Sequence, residues 1–151
     1  MAAPVPGPQV IRALSALGFG LIGAGLFALA VRLFPGLALA LQETEAVVLA
    51  GVFVAGFATW LLGFGSRRLP SPGRGAVLGL IAAVLANPLA VALVAATADS
   101  RGAEPVDGTG ILVLAVVGAV ETGPVSLPVA ALTGAFYALL LGLLARDRLR
   151  P

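Results

Sequence analysis

The 151-residue chain has no cysteine, no histidine and no lysine, and these absences exclude more functions than any motif suggests. Without cysteine there is no disulfide, no thiolate nucleophile and no thiolate metal cluster. Without histidine, the usual haem and zinc ligand and the commonest general base are missing. Charge of either sign is scarce, at 11% of residues against about 25% in soluble domains. Aromatic residues make up 6%, with one Trp and one Tyr.

What is present is apolar. Hydrophobic residues are 60% of the chain and the mean hydropathy is +1.09, which places it in the membrane class. The isoelectric point near 10.5 rests on a net charge of only +2. All nine cations are arginines, and they flank apolar runs, so they read as topology signals and not as a nucleic-acid surface.

About 20 apolar residues at 1.5 Å each cross a hydrocarbon core roughly 30 Å thick. Four runs meet that length: spans over 12–33, 46–65, 75–97 and 125–145 of a single membrane domain, 1–151. Ala38-Leu39-Ala40 offers a signal-cleavage pattern, but the first run is longer than signal peptides carry and Arg32 intervenes. Phe34-Pro35-Gly36 breaks the first helix, and Glu43 and Glu45 suit the positive dipole end of the second. Trp60 falls in the last turns of its span, where an aromatic ring reaches the interface.

The third span contains Asn87-Pro88. Proline there removes a backbone hydrogen bond, and the Asn amide requires a partner inside the bundle. Before the fourth span, Thr109 to Val120 is too short to cross alone, so it is expected to lie at the surface, enter partway or stack onto the span.

Arginine distribution sets the expected orientation. With both termini and the 66–74 loop in the cytoplasm, seven arginines lie inside and two, Arg32 and Arg101, lie outside with the 98–124 loop.

Each span carries small residues four apart: Ala16, Gly20, Ala24 and Ala28; Gly51, Ala55, Thr59 and Gly63; Gly75, Gly79, Ala83 and Asn87; Ala130, Gly134, Ala138 and Gly142. Such rows occupy one helix face and let backbones approach closely in lipid. They suit either a tight bundle or contact with another subunit.

The candidate site residues are Glu121, Asn87, Pro88 and Tyr137. Glu121 is the one acid with long apolar sequence on both sides. It reads either as a proton or cation carrier within the membrane, or as part of a Glu-Thr-Gly-Pro turn at the outer interface. Asn87-Pro88 reads as a gating kink or a structural one, and Tyr137 as a core residue able to reach Asn87 or Thr59. The hydroxyls of Thr122, Ser126 and Thr133 either line a polar track or bond their own backbone. Gly18-x-Gly20-x-x-Gly23 matches a dinucleotide-binding pattern in letters alone, because no strand precedes it.

The expected fold is all-α, an integral membrane four-helix bundle with a short interfacial or partly inserted segment before the last span. The expected function is non-enzymatic and cofactor-free, as an accessory or scaffold subunit of a homo-oligomer or larger membrane complex in a bacterial inner membrane. Its partners are the lipid bilayer and other subunits, not nucleic acid. The alternative is a small oligomeric transporter or channel using Glu121 and Asn87.

Overall fold

The computed structural model describes residues 7–41, 43–63, 71–97 and 107–147, and no strand occurs among them. Five helices follow in order: α1 (Pro8–Leu33), α2 (Pro35–Leu41), α3 (Glu45–Gly63), α4 (Pro72–Ala96) and α5 (Gly108–Asp147). Four of them, all but α2, are long and apolar enough to cross a membrane. The chain is an all-α four-helix bundle.

The helix ends follow from local chemistry. Pro8 opens α1, where its fixed φ is already helical and its missing N–H costs nothing. Phe34, extended ahead of Pro35, ends α1, and its N–H bonds the Ala30 carbonyl. Ser71 Oγ accepts from the Arg74 N–H (3.3 Å) to cap α4. Asp107 Oδ1 accepts from the Gly110 N–H (2.7 Å) to cap α5, with its charge at the positive dipole end.

Neighbours pack in the sequence α1, α3, α4, α5, and α5 touches α1 at only a few residues. The small-residue rows form the seams. A methyl group on Gly51 would lie 2.8 Å from Ala90 Cα, and one on Gly20 would lie 2.9 Å from the Phe53 carbonyl. On α4 and α5 the approach is closer still. Added carbons on Gly75 and Gly134 would each strike the other's carbonyl, and one on Gly79 would strike that of Ala130. Dispersion between backbones at this range replaces the hydrophobic drive that lipid does not supply.

At one end of the bundle the seams converge on an aromatic cluster. Phe19 of α1 stacks on Trp60 of α3 with ring centroids 4.5 Å apart, and Tyr137 of α5 meets Trp60 edge-on at 5.0 Å. Ala16, Leu78, Ala82 and Ala138 complete this core. Trp60 is fully buried and does not reach an interface, a correction to the sequence reading. Its position late in α3 is satisfied inward, because the small residues around it leave room for the indole.

Two arginines do more than mark topology. Arg12 Nε donates to the Leu61 carbonyl (2.6 Å) and Arg74 Nη2 to the Gly63 carbonyl (2.7 Å), so both complement the C-terminal end of α3.

The largest departure from expectation is α5. Its 40 residues form one helix about 60 Å long, with Pro124 and Pro128 inside it. The outer loop expected over 98–124 is helical from Gly108, and 98–106 lies outside the described residues. The segment 109–120 is thus stacked beside α4 as the first third of the last helix.

Candidate functional site

The four candidate residues sit on α4 and α5. Asn87 faces α5, where its Nδ2 donates to the Ala115 carbonyl (2.9 Å). Gly118, one turn further on, leaves the space the amide fills: a methyl there would lie 2.8 Å from Asn87 Nδ2. The amide therefore has its partner within the bundle and pins the first third of α5 to α4. Pro88, the next residue, points elsewhere. With Val54 and Ala58 of α3 and Leu85 and Leu89 of α4 it lines an apolar surface cavity of about 410 Å³.

Tyr137 lies at the far end of α5. Its hydroxyl donates to the Ser15 carbonyl of α1 (2.8 Å), the one hydrogen bond among the described residues that ties the last helix to the first. It bonds neither Asn87 nor Thr59. Thr59 is buried with no hydrogen-bond partner for its hydroxyl among the described residues. Thr122 and Thr133 bond the carbonyls of Gly118 (2.7 Å) and Val129 (2.8 Å) on their own helix, so they form no polar track.

Glu121 lies inside α5, not in a turn, and its side chain is exposed. No hydrogen bond or ion pair joins it to any described residue. Its depth follows from register. Gly118 lies against Asn87, and Ala130 lies against Gly79. Twelve residues of α5 thus run beside eight of α4, about 18 Å of helix against about 12 Å. Over this stretch α5 takes a longer path than its neighbour. Pro124 and Pro128 lie on that path, and each lacks the N–H that would hold the preceding turn closed.

Glu121 comes three residues after Gly118, so its level lies between Asn87 and Gly79. That is within about 5 Å of Val84, the midpoint of α4. With α4 laid across the hydrocarbon, Glu121 falls near its centre. It stands in an outward stripe with Leu114, Val117, Val125 and Leu132, all exposed.

The four residues therefore do not converge. Asn87 joins α4 to α5, Pro88 borders an apolar groove between α3 and α4, Tyr137 ties α5 to α1 and Glu121 faces out. Among the described residues no three acidic side chains come together to hold a metal.

The chain matches no protein-family model, no curated protein and no solved structure. The site must accordingly be read from its own geometry.

The sequence reading missed the paired arginine caps on α3. The signal was present: Arg12 and Arg74 each stand within the first two turns of a helix that abuts the end of another.

Proposed function

We propose that this protein is a non-enzymatic accessory or scaffold subunit of a membrane complex, multi-pass in a bacterial inner membrane with both termini cytoplasmic. One observation carries the reading. At Gly20, Gly51, Gly75, Gly79 and Gly134 the glycine faces of α1, α3, α4 and α5 are filled by neighbouring helices of the same chain, whereas the outward stripe of α5 presents an ionisable group with no partner among the described residues. A carboxylate near the middle of hydrocarbon is costly and is tolerated where a bundle interior, an aqueous cavity or another subunit receives it. The first two are not supplied at Glu121.

This shifts the contact surface from the one the small-residue rows implied. Those rows hold the bundle together, and the outer face of α5 is left for association. Extraction in a mild detergent followed by native mass spectrometry tests the reading. A stoichiometric complex is expected, and a lone monomer overturns it.

The depth of Glu121 also favours a second reading, a small oligomeric transporter or channel. In that case Glu121→Gln abolishes proton or cation flux into vesicles while the folded protein remains. Unchanged flux removes it.

A further inference from the structure

We infer that the outer face of α5 around Glu121 is a docking surface for a transmembrane helix of another subunit that carries a lysine or arginine at mid-depth. This rests on the subunit reading above and names the chemistry of the partner. Three observations converge on it.

The first is position. Glu121 is the one charged side chain between Asp107 and Arg146, and it is exposed at the level of the α4 midpoint. A glutamate has too short a reach to bring its carboxylate to either interface, roughly 15 Å away. Its compensation must come to it.

The second is the chemistry of its surroundings. Pro124 and Pro128 remove the N–H groups that would have bonded the carbonyls of Val120 and Pro124. Two acceptors freed from the helix ladder thus lie within a turn of a carboxylate. The neighbouring hydroxyl of Thr122 already donates to Gly118. The polar groups this otherwise aliphatic patch leaves free are acceptors, so their complement is a donor, and an ammonium or guanidinium group is the side chain with several donors and a positive charge.

The third excludes the simplest occupant, a second copy. Every arginine lies at or beyond the end of a helix, so a copy inserted in the same sense brings no cation to this depth. It brings another Glu121. Two carboxyls can share a proton, but that leaves the freed carbonyls without donors. Charge complementarity therefore favours a different chain.

The test uses the full chain in phosphatidylcholine vesicles. The absence of cysteine allows one fluorophore to be placed cleanly, at Gly7→Cys, the exposed residue before α1, where nothing lies within 4 Å of an added carbon. The probe is a synthetic leucine-alanine transmembrane helix with one central lysine and an acceptor dye. Its controls are the same helix with leucine at the centre and with the lysine moved to one end.

Energy transfer should show the central-lysine helix binding about tenfold more tightly than either control, the scale of one interhelical charge-assisted bond. Glu121→Gln should abolish the preference, and Glu121→Asp should restore part of it. Equal binding of the three helices overturns the inference, as does a preference that survives in Glu121→Gln. Transfer between two labelled copies that depends on Glu121 overturns it in favour of self-association. If the probe fails and the extracted protein still carries a stoichiometric partner, the inference falls and the subunit reading stands. If the extracted protein is alone, both fall.

Discussion

The two ends of α5 are built differently. From Ala130 onward the helix lies backbone to backbone on α4 through Gly75, Gly79 and Gly134, and Tyr137 ties it to α1. From Gly108 to Gly123 it has one side-chain anchor, Asn87, and most of its residues are exposed. One helix thus combines a segment that builds the bundle with a segment the bundle barely holds. The lone acid belongs to the second. The difference teaches where stability resides: close approach of glycine backbones fixes the fold from Ala130 onward, and the exposed half is the part that, on the proposed reading, meets another subunit.

That division is broken most severely at the glycine seam. Gly79→Val and Gly134→Leu place carbon where the carbonyls of Ala130 and Gly75 already stand, and a backbone cannot move aside as a side chain does. Each should cost about 3 kcal/mol or more, read as loss of the unfolding transition in detergent micelles. Gly25→Ala and Gly142→Ala, where nothing lies within 4 Å, should lose nothing and gain up to about 1 kcal/mol of helix propensity. Equal losses at both pairs would end the claim that the seam is the source of stability.

Much of this was legible in the chain itself. Apolar runs of membrane-crossing length bounded by charged residues predicted four spans, and rows of Gly and Ala at four-residue spacing predicted their packing faces. Asn87 inside an apolar run required a bundle partner, and it has one in Ala115. The continuity of α5 was not legible. Glu-Thr-Gly-Pro is turn chemistry in water, where free backbone groups find solvent and a helix has no reason to persist. Beside α4 the helix continues, because contacts at Gly118 and Ala130 hold it on both sides of the prolines. The direction of Trp60 was hidden for a similar reason, since a ring near a span end suits lipid headgroups and a small-residue pocket equally well.

The anchors rank next in effect. Asn87→Leu removes the bond to Ala115 and should cost about 1 kcal/mol, with faster hydrogen exchange confined to 108–120. Tyr137→Phe keeps the ring on Trp60 and loses only the bond to Ser15, so its cost should be about 0.6 kcal/mol. Faster exchange should then appear where α1 meets α5 and not at 108–120. If both variants loosen the same segment, the two halves of α5 are not independent and the contrast fails.

The smallest effect on the isolated chain should come from its most conspicuous residue. Glu121 touches no described group through a hydrogen bond or ion pair, and its neighbours on the stripe are exposed aliphatics. Glu121→Leu therefore removes no interaction within the bundle, and it replaces a group costly in hydrocarbon with one that is not. In micelles the unfolding free energy should change by no more than about 0.5 kcal/mol, and in the direction of greater stability. A residue that held the fold would show the opposite, a loss comparable to that of Asn87→Leu. A silent Glu121→Leu in the isolated protein, paired with a lost partner in the membrane, would place the whole purpose of that carboxylate outside the chain that carries it.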